Sequence, residues 1–163
     1  MTMYWTTTDS PVGTLWLTGD GTALTGLYMA RPAALDLPGQ VEDDAPFATA
    51  REQLAAYFAG ERQEFDLPLS PVGTAFQQQV WAALRAIPYG ETRSYREIAE
   101  QLGRPTASRA VGAANGRNPI SVIVPCHRVV GSSGVLTGYA WGLERKRALL
   151  DLELTALTAA AAR

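Results

Sequence analysis

The chain has 163 residues, 47% of them hydrophobic and 18% charged, with a formal net charge of −2. That length holds one ordinary domain or two small lobes with a real core. No apolar run of about 18 residues occurs, which excludes a spanning helix. No basic stretch followed by an apolar one opens the chain, so a cytoplasmic protein without a membrane partner is expected.

The first third reads as β. Residues 4–8, 14–18 and 24–29 are short runs rich in Thr, Trp, Tyr and Leu, bounded by Gly and Asp. Ser10-Pro11-Val12-Gly13 and Gly19-Asp20-Gly21 are turn sequences, so hairpins are expected. Residues 31–46, rich in Pro, Gly and acids, read as loop. Phe47, Arg51, Leu54, Tyr57 and Phe58 then follow helical spacing up to Gly60. Residues 61–73 form a connector.

Beyond it the pattern turns helical. Thr74 is placed to cap a helix whose apolar face is Phe76, Val80, Trp81, Leu84 and Ile87, stopped by Pro88-Tyr89-Gly90. Ser94-Tyr95-Arg96-Glu97 is a capping box, and its helix buries Ile98, Ala99 and Leu102 before Gly103. A second short helix follows over residues 106–115. Two short helices joined by a tight Gly-containing turn describe a helix-turn-helix. The second carries Ala107, Ser108, Ala110, Gly112, Ala113 and Ala114, all small. Small residues suit close packing inside the domain first, and the alternative is a helix lying against a narrow minor groove. An apolar run, 120–124, leads into Pro125-Cys126-His127-Arg128. A Gly/Ser loop spans 131–138, and a last helix runs from Gly142 to about residue 157, with a frayed tail after it.

The expected fold is therefore α+β. A small N-terminal β-sheet lobe with a helix, 1–70, precedes a mostly helical C-terminal domain, 71–163, containing a winged-helix-like helix-turn-helix. Charge follows the same division. Residues 1–70 carry three Lys/Arg against ten Asp/Glu, and residues 71–163 carry eleven against six. The basic half suits nucleic-acid contact, although two solvated faces of opposite sign account for the same split.

The single cysteine and the single histidine are neighbours, Cys126-His127. One thiol forms no internal disulfide, and two ligands alone build no tetrahedral zinc site, so neither metal nor cofactor is expected. A thiol attacks as thiolate, and since it is mostly protonated at neutral pH it needs a base. His127 is the only imidazole. Side chains next to each other in an extended segment point apart, and one bridging water would join them. On the last helix Lys146, Leu149, Leu150, Glu153 and Leu157 share a face. A carboxylate in that stripe needs a partner: His127, Lys146, a nearby Arg, or solvent at the rim. Cys126 also has a bland reading, as a small buried hydrophobe.

Pro125-Cys126-His127-Arg128-Val129-Val130-Gly131, preceded by Asn118-Pro119, resembles the O6-alkylguanine-DNA alkyltransferase family. So do Ile87-Pro88-Tyr89-Gly90-Glu91-Thr92, Ser94-Tyr95, Ser108-Arg109-Ala110-Val111-Gly112 and Leu136-Thr137-Gly138-Tyr139. The resemblance covers roughly residues 70–154, and it is loose over the first lobe. It implies a DNA-binding, alkyl-acceptor C-terminal domain. The implied activity is irreversible, stoichiometric transfer of an alkyl group from O6-alkylguanine in duplex DNA, with O4-alkylthymine a further substrate, onto Cys126 of a monomer. His127 would deprotonate Cys126 through a water, with Glu153 orienting it. The thioether product has no release step, so each molecule acts once. The helix-turn-helix would bind the minor groove through Ala107, Ser108, Ala110, Gly112 and Ala113, with Arg128 as a further DNA contact. The damaged nucleotide would flip out, since a stacked base hides its O6. Arg109 stands where the family has its intercalating finger. Tyr95 matches the residue that crowds the target phosphate and donates to guanine N3, and Asn118 matches the hinge asparagine. Val129, Tyr139, Ala140, Trp141 and Lys146 would line the pocket. Ala140-Trp141-Gly142 departs from the Ser-Gly-Gly or Ala-Gly-Gly of many relatives: Ala140 lacks a hydroxyl, and Trp141 narrows the pocket or offers a stacking wall.

The alternatives are a non-enzymatic reader of alkyl lesions, a kind of relative that lacks the acceptor cysteine, and a Cys-His-Glu hydrolase.

Overall fold

The computed structural model describes residues 2–162. The chain divides into two compact units, with the boundary between Val72 and Gly73.

In the first unit, β1 (Met3–Thr8), β2 (Leu15–Gly19) and β3 (Leu24–Tyr28) form an antiparallel meander. Side chains chose both turns. Ser10 Oγ accepts the Val12 amide and donates to the Gly13 carbonyl, with Gly13 at φ 105°. Asp20 Oδ1 accepts the Thr22 and Ala23 amides. On β2, Leu15, Leu17 and Gly19 alternate inward, as a half-buried strand requires. Helix α1 (Ala48–Phe58) buries Ala50, Gln53, Leu54 and Tyr57. The Gln53 amide exchanges two hydrogen bonds with the Asp66 backbone, which pins the connector.

Residues 31–46 are not all loop. They hold a 3-10 turn, Ala33–Asp36, and β4 (Gln40–Glu42), which pairs parallel to β1 and gives the sheet order β3-β2-β1-β4. Only three residues pair, Val41 and Glu42 are exposed, and backbone ladder bonds need no apolar period to announce them.

The second unit is built on four helices: α2 (Ala75–Arg85), α3 (Tyr95–Gln101), α4 (Ser108–Gly116) and α5 (Leu143–Ala161). Thr74 with Gln77, and Ser94 with Glu97, form complete capping boxes. Gly103, at φ 72°, ends α3, where the Arg104 amide bonds the Ala99 carbonyl and reverses the chain into α4. Trp81 of α2 donates its indole N–H to the Ala114 carbonyl of α4 at 2.9 Å, both residues being buried. Two short strands, β5 (Arg93–Ser94) and β6 (Val129–Val130), pair in parallel and bring the start of α3 beside the chain leaving Cys126.

Helix α5 runs to Ala161 instead of fraying near residue 157, because residues 159–161 are alanines of the highest helix propensity. Among the described residues, no helix is long and apolar enough to cross a membrane.

Candidate active site

The approach to Cys126 is not extended. Residues 120–125 make three tight turns. The Val124 amide bonds the Ile120 carbonyl at 3.0 Å, Ile123 bonds Ser121 at 2.8 Å, and Cys126 bonds Val124 at 2.8 Å. The middle turn centres on Val122 at φ 71°, a left-handed conformation costly for a β-branched residue. Asn118 braces it. Its Oδ1 accepts the Ile120 amide at 3.1 Å, and its Nδ2 donates to the Val124 carbonyl at 2.8 Å. Strain of this kind persists where the surroundings over-determine it, and such places cluster at functional sites.

Cys126, His127 and Arg128 form a single 3-10 turn, all three buried. The turn replaces the extended geometry expected from the sequence, and it points consecutive side chains in separate directions. His127 Nε2 lies 2.7 Å from Glu153 Oε2, with neither side chain exposed. Arg128 reaches the same carboxylate through Nε at 2.8 Å and Nη2 at 3.0 Å, and its Nη1 donates to the Ile87 carbonyl. The Gly90 amide adds a further donor to Glu153 at 3.2 Å. Of the partners open to Glu153, His127 and an arginine both take it. Arg128 is therefore no surface contact: it is 6% exposed and committed to Glu153.

These neighbours set the charges. Burial alone would raise the Glu153 pKa, but hydrogen bonds and charge from His127 and Arg128 outweigh it and hold the carboxyl at about 2. For His127 burial dominates, against the pull of Glu153, and lowers its pKa. At neutral pH the site is thus an anionic Glu153, a neutral His127 and a cationic Arg128. A neutral imidazole facing a carboxylate donates its Nε2–H, which leaves Nδ1 as a bare lone pair. His127 Nδ1 is buried and, among the described residues, accepts from no group.

Burial also raises the Cys126 thiol, opposed by hydrogen bonds from Asn118 and Ser121 and by the charge of Lys146. Cys126 as a whole is 5% exposed. Lys146, the only lysine in the chain, donates to the Thr137 and Gly138 carbonyls at 3.0 and 3.2 Å from full burial. It ties residues 137–138 to α5 while keeping its charge near the sulfur. Burial, and after it the charge of the Cys126 sulfur, raises the Tyr139 pKa well above the ordinary phenol value, and its hydroxyl has no hydrogen-bond partner among the described residues. Trp141 donates Nε1 to Ser121 Oγ at 2.8 Å. Thr137 donates to the Tyr95 hydroxyl at 3.2 Å.

Two family descriptions match the chain: "6-O-methylguanine DNA methyltransferase, ribonuclease-like domain" over residues 3–71 and "6-O-methylguanine DNA methyltransferase, DNA binding domain" over residues 75–155. The methylated-DNA–protein-cysteine methyltransferase of Mycobacterium tuberculosis is 56% identical over 154 residues, which cover 93% of this chain and 92% of that protein. The constitutive enzyme of that name from Bacillus subtilis is 47% identical over 156 residues, 92% and 94% of the two chains. The chain belongs to the methylated-DNA–protein-cysteine methyltransferase family.

Among solved structures, Mycobacterium tuberculosis OGT in complex with DNA superposes with a TM-score of 0.89 at 56% identity, covering 94% of each chain. A small sheet lobe followed by a largely helical unit is thus the family's α+β fold.

The residues expected to carry the family chemistry fall into two groups. Cys126, His127, Glu153, Asn118, Tyr139, Trp141 and Lys146 converge around the sulfur or its base. Arg109, Ala110 and Ala113 lie exposed along one side of α4, whereas Val111, Ala114 and Asn115 are buried on the other; Ala107, Ser108 and Gly112 are half-buried. Tyr95 lies between the groups, its ring 3.7 Å from where a Gly112 side chain would begin and its hydroxyl on Thr137. Val129 is fully buried in β6 beside Arg93, and Ala140 is exposed.

Sequence reasoning missed Ser121, the Gly90 amide and Asn115, whose Nδ2 reaches the Cys126 carbonyl at 3.5 Å. Ser121 had a signal: it is the single polar residue inside the apolar run before the cysteine. Gly90 had none, because a backbone amide carries no residue type.

Proposed function

We propose that this protein repairs alkylated DNA by moving a methyl or other small alkyl group from O6 of guanine, or O4 of thymine, onto Cys126, once per molecule. The support is the bare Nδ1 of a neutral His127, whose other nitrogen is committed to a Glu153 that is ionised at neutral pH. Such a group takes a proton from the neighbouring thiol, through one water, and Glu153 stabilises the imidazolium that results.

The thiolate sulfur attacks the alkyl carbon and the carbon–O6 bond breaks. The electron pair stays with guanine, which takes a proton from the Tyr95 hydroxyl at N3 and leaves as a neutral base. Nothing at the site hydrolyses the thioether. Sulfur supplies the nucleophile and histidine the base, so the scheme runs without metal or cofactor.

The exposed side of α4, small but for Arg109, suits approach to a minor groove, and Arg109 is free to occupy the stack that a flipped nucleotide vacates. The similar Mycobacterium tuberculosis OGT has a crystal structure in complex with DNA, in keeping with duplex DNA as the partner. The reading is of a cytoplasmic monomer, with the basic second unit as the DNA-facing part.

Incubation with an oligonucleotide carrying O6-methylguanine tests the proposal. The tryptic peptide 118–128 should gain the mass of one methylene, located on Cys126. Lesions that disappear while Cys126 stays unmodified would overturn it.

A further inference from the structure

The end of α4 reaches the nucleophile through two side-chain amides. Asn115 and Asn118 are three positions apart, and the Asn118 backbone amide bonds the Asn115 carbonyl at 3.3 Å, which continues the turn past the helix end. Residues at that spacing are neighbours on one face of a helical turn. Asn118 Nδ2 donates to the Val124 carbonyl at 2.8 Å, and Asn115 Nδ2 donates to the Cys126 carbonyl at 3.5 Å. Alternate carbonyls of the segment that carries the sulfur are thus held from one helix end. Trp81 Nε1, on the Ala114 carbonyl at 2.9 Å, fixes that end to α2.

Neither bond is what closes the local fold. The Val124 carbonyl already accepts the Cys126 amide, and the Cys126 carbonyl already accepts the Val129 amide. Packing alone does not account for Asn115 either. It is 6% exposed, on the side of α4 that buries Val111 and Ala114, and its Oδ1 has no hydrogen-bond partner among the described residues. A buried acceptor left unmet destabilises a fold, and an apolar side chain in its place would not.

We propose that Asn115 is a positioning residue: by holding the Cys126 carbonyl from the buried side of α4, it links the seat of that helix on DNA to the place of the Cys126 sulfur. The inference rests on the alkyl-transfer reading with α4 as the DNA-facing helix. The opposite side of α4 exposes Arg109, Ala110 and Ala113. A base flipped from a duplex seated there arrives at a position that the helix sets. Transfer needs the sulfur in line with the carbon–O6 bond, so the sulfur has to be registered to the same helix. Asn118 fixes the carbonyl two residues before the nucleophile, and Asn115 fixes the nucleophile's own. Asn115 itself touches no reacting atom and moves no proton.

The test compares wild type, Asn115→Leu and Asn115→Ala. Single-turnover methyl transfer to Cys126 is followed from a saturating O6-methylguanine duplex and from the free modified base, with duplex affinity and chemical denaturation measured alongside. Transfer from the duplex should slow at least tenfold in both variants, since a misplacement of about 1 Å at a reacting centre costs on the order of a hundredfold. Transfer from the free base, which no helix places, should stay near wild type. Duplex affinity should hold, because Asn115 lies away from the exposed side. Asn115→Leu should unfold no more readily than wild type, because the unmet oxygen is gone. Should it not fold, Asn115→Ala decides alone.

Unchanged transfer from the duplex overturns the proposal. So does equal slowing from duplex and free base, the mark of a merely structural side chain, or lost affinity with an unmoved rate at saturation, the mark of a binding one. If wild type takes methyl and both variants match it, the link fails and the alkyl-transfer reading survives. If wild type takes none from either substrate, that reading fails and the link falls with it.

Discussion

His127 and Glu153 stand 26 positions apart in the chain and meet at 2.7 Å, neither exposed, with Arg128 holding the same carboxylate from its other edge. One carboxylate therefore serves two neighbours, the base and a buried cation. Glu153→Gln should lose both services. The Arg128 guanidinium would be left buried beside a neutral amide, at a cost of about 3–5 kcal/mol. Chemical denaturation should show that loss. Single-turnover methyl transfer should also slow at least tenfold in the protein that remains folded, because the imidazolium loses its counter-charge. Stability and transfer rate both near wild type would show that Glu153 is neither orienter nor anchor.

The same groups set the dependence of stability on pH. His127 has a lowered pKa when folded, so below its ordinary value of 6.5 the unfolded chain takes a proton that the folded site resists. Stability then falls as pH falls. Glu153, at about 2 folded against an ordinary 4.5, adds to the loss: its contribution is complete above 4.5 and disappears as pH drops toward 2. Cys126 works at the other end. Its thiol is raised by burial, so above its ordinary 9.0 the unfolded chain releases a proton that the folded one keeps, and stability falls again. The unfolding free energy should be greatest between about pH 6.5 and 9, and Cys126→Ala should flatten the alkaline side only. An optimum near pH 5 would contradict this balance.

Much of this site was legible in the sequence because it rests on rare residues and fixed periods. Cys126-His127 could be found by counting, and the spacing of Lys146, Leu149 and Glu153 placed a carboxylate on the buried face of α5. Thr74, Ser94 and Gly103 marked helix ends by cap chemistry that operates within four residues. What escaped depended on contacts distant in sequence or on the backbone. Arg128 looked like a basic residue for DNA, and only the 3-10 turn reveals that it points inward to Glu153. Strand β4 is three residues of backbone pairing, and the turn at Val122 defies the residue's own preference. The Ser121–Trp141 bond joins residues 20 positions apart with no periodic relation between them.

Asn118 offers a sharper probe of that strained approach than deletion does. Asn118→Asp keeps an oxygen for the Ile120 amide but loses the N–H donated to the Val124 carbonyl, and it puts a negative charge beside the sulfur. The Val124 carbonyl keeps the Cys126 amide and loses its second donor, at a cost of about 1 kcal/mol. Thiolate formation should become harder as well, since a like charge disfavours it. Iodoacetamide alkylation of Cys126 at neutral pH should slow, with its titration displaced upward. Faster alkylation would mean that Asn118 does not sit on the sulfur.

The exposed side of α4 separates close approach to DNA from packing within the fold. Ala113 is exposed and Ala114 buried, although both are alanines one step apart on the same helix. Ala113→Leu enlarges a side chain at an exposed position, so unfolding should shift by no more than about 0.5 kcal/mol. Binding to undamaged duplex should nevertheless weaken strongly, because the larger side chain holds the helix off the groove. Ala114→Leu should do the reverse: it overpacks the contact with Trp81 and destabilises the fold by about 1–3 kcal/mol. Arg109→Ala, at another exposed position, should leave stability intact and slow methyl transfer from duplex DNA while sparing transfer from the free modified base, which needs no flipping. Binding of the wild type should also weaken as salt rises, with little preference for sequence in the absence of a lesion. Equal duplex affinity for wild type and Ala113→Leu would remove α4 from the DNA interface.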